Sequence, residues 1–361
     1  MPDPAEQIIR FCRVDGHAVA FATVGTGPPL LVPGPWIGHV ELDWTLPHVA
    51  AFLRGLARTH TVIRYDRLGV GLSDRDVEPE AKFGSPRELA AIAAILEQVG
   101  ATGPIDVFGV SAGCAAAVEL AAAQPALVRR MVLFGGFVQG ELLAPADLRD
   151  AMLATVHAHW GAGSRVLADV WLPGADTKMR EAFSTLQRMA ATPEVAAANL
   201  ATIYRTDLRD ILPSATAPAL VLHRRDDRAA PFAQGRDLAA RLPNAQFIPL
   251  DGAMHPPWLD DREAVLREMR AFLTPGAPAD PELVPLPDPV APIPLPGGDP
   301  LSEREREVLR LVAEGMNDGE IAERLVVSPH TVHRHVANIR TKLGQSSRAA
   351  AAAHAARHGL I

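Results

Sequence analysis

The 361-residue sequence predicts an α/β domain built on a mainly parallel sheet covered by helices, followed by a small all-α domain. Three observations lead there. Up to residue 273, short apolar runs alternate with longer stretches of helical period, as in strands joined by crossover helices. The length exceeds what one core usually organises. Between them, residues 274–300 hold ten prolines in 27 residues, a segment that lacks amide donors and reads as an extended, semi-rigid linker.

Taken in order, "IIRFCRVDGHAVAFATVG" reads as two strands joined at Asp15-Gly16, so the sheet begins antiparallel. Strand-like runs follow at residues 29–32, 61–66, 105–110, 131–136, 219–223 and 245–250, with helical stretches near 86–99, 112–123, 233–242 and 262–273. Residues 140–213 break the rhythm with helical segments and no clear strand, which predicts an inserted cap. The small domain spans 301–361. Its first helix opens on a capping box, Ser302 with Glu305, presents Val308, Leu309 and Val312 on one face, and ends at Gly315. A short helix "DGEIAERL" turns Ile321, Ala322 and Leu325 inward. Ser328 then caps a third helix whose Val332, Val336, Ile339 and Leu343 recur at helical spacing, and a small alanine-rich fourth helix follows.

Composition narrows the function classes. With 48% hydrophobic and 21% charged residues the chain can bury a substantial core. No run approaches the ~18 apolar residues of a membrane span, and "MPDPAEQ" lacks the pattern of a signal peptide, so a cytoplasmic protein is expected. Two cysteines, Cys12 and Cys114, argue against a disulfide or metal framework, and no cofactor is implied. The net charge of -7 divides unevenly. Residues 301–361 carry nine Lys/Arg against seven Asp/Glu, and from Arg324 onward there are six basic side chains and no acidic one. Such a field suits a polyanion or a solvated basic face.

The sharpest chemical signal is "VFGVSAG" at 107–113. An apolar strand precedes Ser111 and a helix follows, the turn that lifts a serine hydroxyl above a sheet. A hydroxyl is a poor nucleophile until a base accepts its proton and a carboxylate orients that base. Asp226 and Asp227 follow one predicted strand and His255 follows the next, giving the order Ser, Asp, His at strand ends. With "YDRLGVGLSDR" at 65–75, these residues make positions 8–273 resemble the α/β-hydrolase family, and the resemblance implies that fold with a helical cap. In subgroups of that family the acid falls three residues after a glycine. Arg224 stands there in this chain, and the count selects Asp227 over Asp226. The family's oxyanion loop reads His-Gly-x-Pro; "VPGPWIGH" puts Pro33 at the histidine and Pro35, without an N–H, at x. Ala112 then remains as one donor, with Trp36 as the second if the loop shifts by a residue. The ligand pocket is expected among Trp36, His39, Trp160, Trp171, Met189 and Tyr204, which suits an apolar ligand.

Residues 301–361 resemble the LuxR (GerE) type of helix-turn-helix domain along their whole length. The resemblance implies double-stranded DNA as a partner, a third helix in the major groove with His330, Thr331, His333, Arg334 and Asn338 facing bases, and Arg340, Lys342 and Arg348 meeting phosphates. It also implies a homodimer through the fourth helix and a contact with RNA polymerase. Together the two domains suggest a ligand-responsive transcriptional regulator whose first domain binds, and at most slowly hydrolyses, a small ester- or lactone-like molecule. The alternative is an active serine esterase or lactonase whose turnover controls DNA binding.

Overall fold

Asp15 and Gly16, at φ 49° and 86°, form the tight turn that joins β1 (Ile8–Val14) to β2 (His17–Val24) in antiparallel register. In this computed structural model, which describes residues 6–80, 82–276, 301–343, 348, 351, 352 and 355, the hairpin is the antiparallel edge of an eight-stranded sheet. The remaining strands are β3 (Pro29–Val32), β4 (Thr61–Tyr65), β5 (Ile105–Val110), β6 (Val128–Phe134), β7 (Ala219–Arg224) and β8 (Ala245–Leu250). Their spatial order is β1-β2-β4-β3-β5-β6-β7-β8, with β3 to β8 parallel. The chain order reverses at β3 and β5, so their carboxyl ends stand side by side, where open α/β sheets place ligands.

Helices cover both faces, and strand alternation decides which residue meets which. Ile105 and Val107 of β5 join one core with α3 (Pro86–Gln98), α4 (Gly113–Ala123) and α9 (Phe232–Arg241); Phe108 and Val110 join the other with α2 (Pro47–Ala57) and α10 (Arg262–Leu273). The short helix α1 (Val40–Thr45) and α2 are not predicted by the sequence pattern. Between β6 and β7 lie α5 (Ala146–Ala158), α6 (Trp160–Trp171), α7 (Thr177–Ala190) and α8 (Pro193–Arg205), in the stretch where a cap was expected.

The described residues fall into two compact units, divided between 276 and 301. The proline-rich segment beyond residue 276 lies outside them. In the second unit, α11 (Glu303–Ala313) starts on the reciprocal bonds of Ser302 and Glu305, at 3.2 and 2.8 Å, and Gly315 follows it at φ 90°. A second reciprocal box, Asn317 with Glu320, opens α12 (Asp318–Leu325), and Ser328 accepts from the Thr331 amide at the start of α13 (Pro329–Lys342). Val308, Leu309, Ile321, Val332 and Ile339 share one core. The expected fourth helix lies outside the described residues except at positions 348, 351, 352 and 355.

Two local features carry measurable consequences. His39 caps α1, its Nδ1 accepting from the Leu42 amide at 3.3 Å, and burial together with the Arg75 guanidinium lowers its pKa from 6.5 to about 4. A depressed pKa contributes stability that is present above pH 6.5 and lost as pH falls through 4. At about 1.4 kcal/mol per pKa unit that is about 3 kcal/mol, and urea titrations at pH 7 and pH 4 should show His39→Asn, a cap without this titration, losing correspondingly less than wild type. In the second unit, Val326 ends α12 at φ 54° with 89% of its surface exposed, a left-handed angle in which a β-branched side chain is strained. Val326→Gly should relieve about 1 kcal/mol; slower amide hydrogen exchange in α12 and α13 of the full chain is the expected readout, and unchanged or faster exchange would count against strain at this turn.

Candidate active site and recognition helix

Ser111 sits at φ 53° in the two-residue step between β5 and the start of α4, with its amide bonded to the Phe134 carbonyl of β6 at 2.9 Å. The flanking glycines make this step possible. A Cβ on Gly109 would lie 2.7 Å from the Cys114 Cα, and one on Gly113 would lie 2.9 Å from the Pro33 carbonyl oxygen. Gly113 thus lets the loop after β3 press against the start of α4, where the Ala112 amide stands among N–H groups that have no acceptor within the helix.

The base and its orienting acid arrive from the next strand ends. His255 Nδ1 and Asp227 Oδ2 are 2.7 Å apart, while Oδ1 of Asp227 accepts from the amides of Ala229 and Ala230 at 2.9 and 3.1 Å. Burial acts to raise the Asp227 pKa, but His255, His223 and the Ala230 amide overcome it and hold the carboxyl below its ordinary value. Asp227 therefore stays ionised and directs the imidazole proton onto Nδ1. His255 Nε2 is buried and, among the described residues, without a hydrogen-bond partner. Asp226, the alternative acid, is exposed and uses its amide on the Gly252 carbonyl. Gly135, at φ 59° just past β6, clears the space: a Cβ there would come within 3.0 Å of the His255 ring.

Arg224 has a part that sequence reasoning missed. Nearly fully buried over the Phe134 ring, its guanidinium donates to the carbonyls of Met254, Pro256 and Leu259, on both sides of His255. Asp260 ties the same loop from within, accepting from the Ala253 and Met254 amides at 3.0 Å each. A glycine at position 224 would leave those carbonyls without their donor.

A cavity of about 230 Å³ opens beside Ser111 under the inserted helices. Of the residues expected around it, Trp171 and Tyr204 line it, with Phe137, Met152, Ile203 and Arg228 as unforeseen neighbours. The others lie elsewhere. Trp36 is buried edge-on against Trp171 and Trp160, 4.9 and 6.2 Å between centroids, and its carbonyl accepts from Asn199. Trp160 spends its indole N–H on the Ala191 carbonyl, Met189 offers its carbonyl to Arg75, and His39 is committed to capping α1. The aromatic and methionine pattern marks a region but not which side of a helix faces the cavity. The recurring apolar spacing of α5 and α8 was the available signal for Met152 and Ile203.

On α13, Val332 and Ile339 are buried while His333 and Asn338 are exposed on the opposite side. Thr331 is half-buried, its hydroxyl 2.8 Å from that of Ser328. Arg340 is also half-buried, and the side chains of His330, Arg334 and Lys342 lie outside the described residues. Arg348, expected to meet phosphate, makes contacts within the unit. It pairs with Asp318 at 2.8 Å and donates to the Met316 carbonyl, and the same aspartate stands 3.5 Å from His333.

Known proteins resemble the two units separately. Residues 30–268 match the alpha/beta hydrolase family model, and residues 299–355 match that of the bacterial regulatory proteins of the luxR family. A pimeloyl-[acyl-carrier protein] methyl ester esterase of Xanthomonas campestris pv. campestris is 30% identical over 266 residues, covering 69% of this chain and 96% of its own. A putative HTH-type transcriptional regulator of Mycobacterium bovis is 46% identical over 66 residues, 18% of this chain and 8% of that one. Among solved structures, a hydrolase from Pseudomonas aeruginosa covers 74% of the chain at a TM-score of 0.61 and 24% identity, a likeness of fold. The chain thus belongs to the alpha/beta hydrolase family and carries, behind that domain, a luxR-type helix-turn-helix regulatory domain that implies binding to DNA.

Proposed function

We propose that this chain is a ligand-responsive transcriptional regulator whose hydrolase unit binds a small, largely apolar ester or lactone and turns it over slowly. One observation carries the reading: a serine elbow that borders an apolar cavity and an oriented Asp227–His255 pair occur in the same chain as a luxR-type DNA reader. A DNA partner supports action in the cytoplasm. By the same family logic it acts as a homodimer on paired half-sites and touches RNA polymerase.

The chemistry follows from the atoms. Ser111 Oγ attacks the ester carbonyl carbon, its proton passing to His255 Nε2, and the developing oxyanion meets the Ala112 amide. The C–O bond to the alcohol breaks as His255 returns that proton to the leaving oxygen. Water then attacks the acyl-serine with the same base, releasing the acid and restoring Ser111. Pro35 withholds an N–H from the family's oxyanion position, and Trp36 is the remaining candidate for the second donor. Loss of one donor slows such acyl transfer ~10²- to 10³-fold, which suits a slow, sensing enzyme. The methyl ester named for the Xanthomonas relative supports an ester as the reacting group.

The second reading, full turnover as the signal, is favoured by the free lone pair of His255 Nε2. Ligand-driven reporter expression with Ser111→Ala separates the two. Under the slow-turnover reading the variant keeps its response to ligand while losing the acylation burst with 4-nitrophenyl acetate; a lost response with ligand binding intact would establish turnover as the signal.

For the DNA partner, Arg334→Ala removes a guanidinium that the luxR resemblance assigns to base reading. A 5- to 100-fold loss of specific affinity is expected, about 1–3 kcal/mol for a bidentate base contact, measured by anisotropy at fixed salt against a non-specific duplex. Equal affinity in variant and wild type would remove α13 from the groove.

A further inference from the structure

Three arginines at or just past the end of β7 meet different fates. Arg224 is buried on the His255 loop, and Arg225 stands 3.5 Å from Asp251. Arg228 is exposed and lines the cavity, and among the described residues no acid lies within ion-pair distance of its guanidinium. Its neighbour Asp227 makes no ion pair with it, its two carboxylate oxygens being engaged by His255 and by the amides of Ala229 and Ala230. The rest of the lining is apolar apart from the Ser111 hydroxyl and Tyr204, so Arg228 supplies the one charge among the residues around the cavity.

We propose that the site takes an ester whose short apolar chain ends in a carboxylate, with Arg228 binding that carboxylate while the ester carbonyl lies at Ser111. The inference rests on the reading of the cavity as the ligand site. About 230 Å³ falls below the roughly 300–1,000 Å³ of pockets for drug-sized ligands, which limits the spacer to a few methylenes. The apolar wall, with Phe137, Met152 and Ile203, accepts that spacer and rejects a charge along it. At the end of the chain a guanidinium fork matches a carboxylate in two parallel hydrogen bonds, and one cation balances one negative charge; a phosphate dianion would leave charge uncompensated. An ion pair in fully exposed positions contributes little, but a carboxylate brought to an apolar cleft by its own chain meets Arg228 with part of the water displaced.

The test measures binding by calorimetry to the full-length Ser111→Ala chain, which keeps esters intact. The probes are monomethyl adipate and its neutral half-amide of the same length. The expected result is at least ~10-fold tighter binding of the carboxylate, a preference weakened by added salt and reduced to less than ~2-fold when Arg228→Gln is added. Equal binding of the two probes, or a carboxylate preference that survives Arg228→Gln, overturns the role of Arg228 while leaving the cavity as the ligand site. Binding of neither probe, in a chain whose fold is verified by circular dichroism, overturns both this inference and the reading of the cavity beneath it.

Discussion

Ser111 holds a backbone angle of +53° only because two glycines and one strand neighbour leave it room and fix it there. Gly109 lets the following helix start immediately over the strand, Gly113 lets the loop after β3 close on that helix, and the Phe134 carbonyl accepts the Ser111 amide. Each of these contacts depends on the sheet order. With β3 and β6 flanking β5, the carboxyl ends of three strands meet at one point, and β7 and β8 then deliver Asp227 and His255 to the same edge. A different strand order would scatter the same residues. The chemistry of the larger unit is therefore a consequence of topology first and of residue identity second.

The same dependence explains what could be read in the sequence. Strands of a parallel sheet buried on both faces are continuous apolar runs bounded by turn residues, and β3, β5 and β7 carry that pattern at the expected positions. Asp227 was legible over Asp226 because a count from the strand end places it, and the bond to His255 agrees. What stayed hidden depends on contacts between distant segments. Nothing local to "LHRRDD" says that Arg224 turns back beneath the sheet edge to hold three carbonyls of the His255 loop, and α1 and α2 are short segments shaped by packing. In the inserted helices, composition identified the region around the cavity, but rotation about each helix axis decided that Trp171 and Tyr204 face it while Trp160 and Met189 do not.

The second unit shows the same division. Its helix boundaries follow from caps written in the sequence, the Ser302–Glu305 and Asn317–Glu320 boxes and Ser328, because a cap is satisfied within three residues of itself. The pairing of Arg348 stayed hidden because its partner, Asp318, stands 30 residues earlier. A basic residue near a groove-facing helix looks available for phosphate until the fold places an acid beside it. With Arg348 and His333 both near Asp318, the positive field of this unit is smaller at that corner than the count of basic residues implies.

Energetics bear on why the hydrolase unit keeps its reactive features when a DNA reader follows it. A non-glycine residue in the left-handed region costs of order 1–3 kcal/mol, and a buried nitrogen without a partner, as at His255 Nε2, costs a similar amount. A pocket that only enclosed an apolar ligand would be more stable with an ordinary turn at position 111 and an apolar residue at 255. The retained strain and the unpaired base are stabilised elsewhere, by Arg224, Asp260 and the Asp227 cradle of amides, which argues that they meet something in the ligand. A carbonyl carbon facing Ser111 and a proton delivered to His255 Nε2 would satisfy both, whether the acyl-serine then turns over quickly or persists long enough to be sensed.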